Sequence, residues 1–334
     1  MVMKNKIKEA LFWFLTTIKA HHLFRKMNRK KFIILMYHGI LKHKIPVSCW
    51  WQLPFEKFKW QLEYLKKYYT VMHLRDVIDK VQRGGHLPDN VAVITFDDGF
   101  ENNYSVAYPL LKELNLPATI FLTTDFIGTD QMLWPDKMLI LFFETKVKEI
   151  DLRKFGLNIL DLTSVEAKQK AFNLISNQAK FLKLNKKQEL ISYIENILSK
   201  EITQVSYSGN FKLLSWEQVN FMNETGLVHW GAHTCTHEIL SNLDDSTLND
   251  EIQKSCWRVS SYGNNLLFAY PNGGKRDFDQ RAKVILQELN VLCALTTISG
   301  LNSSFLDAYE LKRTHIDNNM TENRFKLLCS GAFR

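Results

Sequence analysis

From residue 31 onward, short runs of β-branched and other apolar residues alternate with longer stretches whose apolar positions recur at helical spacing. This rhythm predicts parallel strands joined by crossover helices. Strands are expected at residues 32–37, 69–73, 91–96, 118–123, 227–232, 266–270, 291–296 and, with a weaker pattern, 311–316. The run Val91-Ala92-Val93-Ile94 is apolar without alternation, as a strand covered on both faces requires. Stretches 55–68 and 108–114 supply amphipathic crossovers. Eight such strands predict an α/β fold, a (β/α) barrel that is complete or irregular. Residues 130–211 break the rhythm; rich in Lys, Glu, Leu and Ile, they read as a helical insertion with several helices between 168 and 200.

Residues 1–30 stand apart. Lys4, Lys6 and Lys8 precede the apolar run 11–15, and Lys19, Arg25, Lys26, Arg29, Lys30 and Lys31 follow it. That run is too short to span a bilayer, and Thr16, Thr17 and Lys19 interrupt what a signal peptide needs. With Phe12, Trp13, Leu15 and Phe24 the segment reads as a basic amphipathic helix on an anionic membrane surface, or as a helix packed on the protein's own core. Residues 31–334 then form one domain carrying the insertion, and 46% hydrophobic residues are ample for its core. The net charge of +8 favours anionic partners. No basic–aromatic module supports nucleic acid as the partner. Cys49, Cys235, Cys256, Cys293 and Cys329 are scattered without a C-x-x-C spacing, which argues against a disulfide framework or a thiolate metal site. The expected location is cytoplasmic, peripheral at the inner face of the membrane, rather than secreted.

Three constellations carry chemistry, each at the C-terminal end of an expected strand. Thr95-Phe96-Asp97-Asp98-Gly99 sets two carboxylates side by side. They repel unless one meets a cation and the other a proton, although an Asp-Asp-Gly turn also caps helices. His233-Thr234-Cys235-Thr236-His237 places two imidazoles four residues apart, so that both can face one point. Imidazole nitrogen with carboxylate oxygen suits zinc or cobalt and leaves a position for water. Tyr270-Pro271-Asn272-Gly273-Gly274 exposes backbone N–H groups able to stabilise an oxyanion, or is a plain turn. His38 follows the first strand. In a barrel these strand ends share one face, where active sites sit.

These residues resemble the polysaccharide deacetylases of the NodB-homology type, carbohydrate esterase family 4. The resemblance rests on Leu35-Met36-Tyr37-His38, the aspartate pair with Phe100, 116–122, Gly231-Ala232-His233-Thr234 and Ala269-Tyr270-Pro271-Asn272-Gly273, and spans about residues 31–316 outside the insertion. It implies a divalent metal held by Asp98, His233 and His237, zinc first, with cobalt, nickel or manganese as alternatives. It further implies Asp97 as general base and the N–H of Asn272 as oxyanion donor. The implied reaction is hydrolysis of the N-acetyl amide of a sugar in a polysaccharide, and the basic charge with the N-terminal helix adds a lipid-linked glycan precursor as a substrate.

Two departures from the family pattern stand out. The late Leu-x-His motif has no counterpart in Thr296-Thr297-Ile298-Ser299-Gly300-Leu301, which leaves His38 and His315 as candidate acids for the leaving amine. Ala269 stands where many relatives carry an arginine that orients the base, a role open here to Arg276, Arg281 or Arg313. These departures motivate a rival reading, a glycan-binding pseudoenzyme of the same fold.

Overall fold

The eight expected strands form in the computed structural model, which describes residues 2–202, 205, 207–263, 265–303 and 307–333. They are β1 (Phe32–Tyr37), β2 (Thr70–Val71), β3 (Val91–Phe96), β4 (Ala118–Leu122), β5 (Val228–Ala232), β6 (Leu267–Ala269), β7 (Cys293–Leu295) and β8 (Thr314–His315). All are parallel, in the order β7-β6-β5-β4-β3-β1-β8, and β2 pairs the first half of β3 where β4 pairs the second. Leu311 carries the sheet round: its N–H donates to Ala294 O at 3.0 Å and its carbonyl accepts from Thr296 N–H at 2.8 Å. These bonds link β7 to the segment entering β8, so the sheet curls into an irregular barrel. Helices Phe55–Tyr68 and Tyr108–Leu114 fall where the apolar spacing placed them.

Side chains alternate across each strand. Phe32, Ile34, Val91, Val93, Phe121, Leu267, Ala269 and Leu311 form a small inner core with Leu74, Val77 and Ile78 of the helix after β2. The intervening positions, such as Ile33, Ile94, Ile120, Trp230 and Phe268, enter a larger core beneath the outer helices. Continuing the inner parity past the ends of β1, β3 and β5 reaches His38, Asp97 and His233, and counting on from Leu311 it reaches Arg313, just before β8. β5 lies close to β4 at Gly231, where an added Cβ would stand 2.4 Å from the Phe121 ring and 2.9 Å from Leu267 O. Only glycine permits that approach, two residues before His233 on the same strand edge.

Two expectations change. The insertion holds helices Trp134–Glu144, Val165–Ala179 and Leu184–Leu198, but also an antiparallel pair, Glu149–Asp151 with Ile159–Asp161. Three-residue strands are too short to show alternation in sequence. The single N-terminal helix is two, Val2–Thr17 and Ala20–Met27, broken at Lys19 with φ 59°. Both pack on the last helix, Glu322–Ser330. Phe12 meets Phe333 edge-on at 5.1 Å, Thr16 Oγ1 donates to Asn323 Oδ1 at 2.9 Å, and Thr321 Oγ1 donates to Glu9 Oε2 at 3.0 Å. The side chains of Lys4 and Lys6 lie outside the described residues.

Candidate active site

Pairing register brings the motifs together. Ala232 pairs Leu122 on one side and Phe268 on the other, which sets His233 level with Ala269. His233 Nδ1 lies 2.7 Å from Ala269 O. A carbonyl only accepts, so Nδ1 carries the proton and Nε2 presents a lone pair. Burial lowers the His233 pKa to about 4, which keeps the ring neutral. Its Nε2 is 3.5 Å from Asp98 Oδ1, and His237 Nε2 is 3.3 Å from the same oxygen. Asp98 Oδ1 has no hydrogen-bond partner. Burial alone would raise the Asp98 pKa, but the surrounding imidazoles, His237 first, override it and hold the carboxyl well below its usual range. An ionised oxygen facing an imidazole lone pair calls for a cation between them. Ligand atoms about 2.1 Å from a tetrahedral centre stand ~3.4 Å apart, and the observed spacings match. The three side chains therefore fit a divalent metal ion.

The backbone is bent to achieve this. Asp98, Thr234 and His237 have φ of 74°, 64° and 61°, a region sparsely populated by residues other than glycine. Such strain persists only where surroundings over-determine it. Thr234 Oγ1 accepts from His237 N–H at 2.9 Å, and Glu251 Oε2 accepts from the N–H groups of Cys235 and Thr236 at 2.8 and 2.9 Å. Lys187 of the insertion meets Glu238 at 2.6 Å, both nearly buried, and ties the insertion to the residue after His237. Glu251 and Lys187 were not among the expected site residues. Lys187 stands among the apolar helical neighbours Leu184, Leu190 and Ile191, a faint signal, whereas Glu251, with Thr247, Lys254 and Ser255 about it, carried none.

Asp97 has the partner that Ala269 cannot provide. Arg313, fully buried, donates from Nη1 to Asp97 Oδ1 at 2.6 Å and from Nε to Thr296 O at 2.8 Å. Burial pushes the Asp97 pKa up, but Arg313 and then His233 outweigh it, leaving the carboxyl below its usual range and ionised. Arg281 is engaged with Asp279 and Asp245, and Arg276 lies over Phe181.

His38 adjoins both aspartates electrostatically, yet burial lowers its pKa. His315 lies one ring further off, 6.4 Å from His38 between centroids, and burial brings it to about 4. Trp50, 45% exposed, stands edge-on to both, 4.5 Å from His315 and 5.4 Å from His38. Asn272 takes φ 57°, and its carbonyl accepts from Thr297 Oγ1 at 2.6 Å, which fixes the turn over β6. Behind Asp98, the Asp136 carboxyl is buried with Trp51 Nε1 donating to it at 2.7 Å; burial and then Asp98 raise its pKa.

This curled parallel sheet, with an aspartate pair and two histidines at its strand ends, defines a class. Residues 84–293 match the polysaccharide deacetylase family, and the chain belongs to that family. The poly-beta-1,6-N-acetyl-D-glucosamine N-deacetylase of Staphylococcus epidermidis is 28% identical over 177 residues, covering 52% of this chain and 58% of that protein. Its Staphylococcus aureus (strain N315) namesake is 24% identical over 175 residues, covering 51% and 57%. The chain thus spans less than two thirds of the length of these relatives. Among solved structures, Streptococcus pyogenes deacetylase PplD in complex with acetate superposes with TM-score 0.58 at 19% identity, covering 91% of this chain and 99% of that one. IcaB from Ammonifex degensii gives 0.57 at 17%, covering 91% and 97%. At such identities the likeness is one of fold.

Proposed function

We propose that this chain is a metal-dependent hydrolase that removes acetyl from the nitrogen of N-acetylated sugars in a polysaccharide, with β-1,6-linked N-acetylglucosamine, named for the staphylococcal relatives, as the first substrate to test. One observation carries the reading: Asp98 Oδ1 and two imidazole Nε2 atoms converge at 3.3–3.5 Å beside a carboxylate, Asp97, that Arg313 holds ionised. A divalent cation bound by Asp98, His233 and His237 supplies Lewis-acid chemistry at the acyl carbonyl. Asp97 accepts the proton of the water that attacks the acyl carbon, and Arg313 keeps its carboxylate oriented. The N–H of Asn272 donates to the oxyanion that develops. The C–N bond then breaks as the nitrogen takes a proton, giving acetate and a free amine. His38, beside the aspartates, is better placed for that proton than His315. Arg313 also removes the missing arginine as a motive for the pseudoenzyme reading.

The test is release of amine and acetate from β-1,6- and β-1,4-linked N-acetylglucosamine oligomers, from the free sugar and from a lipid-linked precursor. The protein is first stripped with chelator, then reloaded with zinc, cobalt, nickel or manganese. Activity on at least one polymer, lost with the metal and regained on reloading, is the expected result. No amine from any substrate under any loading overturns the assignment.

A further inference from the structure

The N-terminal helices turn an apolar stripe outward. At 100° per residue, Ile7, Leu11, Phe14 and Ile18 fall within about 60° of one another around helix Val2–Thr17 and its continuation. They are 64%, 45%, 52% and 56% exposed. The opposite side, with Glu9, Phe12 and Thr16, makes the contacts to Thr321, Phe333 and Asn323. The helix is therefore amphipathic in reverse: Glu9, Phe12 and Thr16 face protein, and the apolar stripe of Ile7, Leu11, Phe14 and Ile18 faces outward. The next helix repeats the pattern. Leu23 and Met27, one turn apart, are 60% and 70% exposed, while Arg25 stacks on Tyr68 and Asn28 donates to Ser330 O. Trp13 is 61% exposed as well, about 100° round the helix from Phe14. Soluble surfaces rarely carry contiguous apolar stripes without an occupant.

Charge selects the occupant. Lys8, Lys19, Lys26 and Lys31 are exposed on these two helices and the turn that follows, and Glu9, engaged by Thr321, is the only acid in the first 31 residues. An apolar stripe that includes the Phe14 ring, with flanking bases, matches the acyl boundary and headgroups of an anionic bilayer. Among the described residues no helix is long and apolar enough to cross one. We infer that the two N-terminal helices dock this chain in the plane of an anionic membrane, with Ile7, Leu11, Phe14 and Ile18 entering the acyl boundary and Lys8 and Lys19 meeting lipid phosphates.

The experiment is co-sedimentation of the full chain with vesicles of phosphatidylglycerol and phosphatidylcholine, or of phosphatidylcholine alone. Wild type is expected to pellet with the mixed vesicles and much less with the neutral ones. Leu11→Gln/Phe14→Gln keeps good helix formers at exposed sites and is expected to lower the partition at least about tenfold with an unchanged circular dichroism spectrum. Ile18→Gln, past the helix end, repeats the test should that pair disturb folding. Lys8→Gln/Lys19→Gln is expected to cost several-fold and to remove most of the salt dependence. Three results overturn the inference: no pelleting of wild type, pelleting of the apolar variants equal to wild type, or a dimer in solution that those variants dissolve while vesicles bind neither.

Discussion

Replacing Arg313 by leucine tests the site most directly. The guanidinium is fully buried and 2.6 Å from Asp97, which is itself 2% exposed. Removing one member of a buried pair leaves the other charge uncompensated, at about 3–5 kcal/mol. Asp97 escapes part of that cost by taking a proton. In the wild type its pKa lies below the usual range, so the pair stabilises the fold above the unfolded-state value and loses that contribution as pH falls through the lower, folded-state value. In Arg313→Leu burial prevails and the sign reverses. The stability deficit of the variant should therefore grow as pH rises through the carboxylate range and shrink in acid. Catalysis should fall by roughly 10²–10⁴, the usual contribution of a positioned base, with the acid limb of the pH–rate profile moved to higher pH. Arg313→Lys keeps the charge but cannot reach Thr296 O and Asp97 together, and should fall between the two. The measurements are kcat/KM from amine release across pH and unfolding at matched pH. Activity within about threefold of wild type, together with a deficit that ignores pH, would refute the reasoning.

Further outcomes follow from the same geometry. Asp98→Asn should abolish stoichiometric zinc binding measured by mass spectrometry, and with it the zinc-dependent rise in melting temperature. The metal-free variant should be at least as stable as metal-free wild type, because an amide N–H can donate to the Nε2 lone pairs that now face an oxygen 3.3–3.5 Å away. His38→Gln should lower kcat by about 10²–10³ and His315→Gln by less than about tenfold, as expected if the histidine nearer the aspartates protonates the amine; the reverse order would move the acid to His315. Asp136 has a raised pKa in the fold, so its burial favours folding below the unfolded-state pKa and that advantage is lost as pH rises through the folded-state value. Asp136→Asn should thus gain on wild type as pH rises above the ordinary carboxylate range in metal-free protein, as read by denaturant unfolding. A gain that does not vary with pH would show the carboxyl ionised.

The strands were legible because apolar runs and turn residues punctuate them; the ends of β1 and β3 fall where the pattern put them. The site face was legible for the same reason, since alternation carries His38, Asp97 and His233 inward at three strand ends. What sequence hides is pairing at a distance. Arg313 and Asp97 are 216 residues apart, and only the order β3-β1-β8 brings them to one wall. Glu251 and Lys187 were hidden likewise, each being one charge among many until a helix aims it at the histidine loop. The break at Lys19 leaves no mark either, because a left-handed residue there is neither glycine nor asparagine.

The placement of the arginine on the β8 side has a physical logic. A buried carboxylate can offset one buried guanidinium, and a second would lie unpaired at a cost of several kcal/mol. Ala269 and Arg313 are therefore one choice rather than two. With Arg313 entering from the β8 side and its guanidinium 6.0 Å from the Phe121 ring, the inner position on β6 must be small and uncharged. Ala269 is fully buried there, and its carbonyl is left to fix the His233 tautomer. The base is thus oriented from β8 while the ligand histidine is oriented from β6. Each carboxylate of the pair has its own support, Arg313 for Asp97 and, for Asp98, the divalent cation that it would share with His233 and His237, which is what adjacent aspartates need in order to stay ionised side by side.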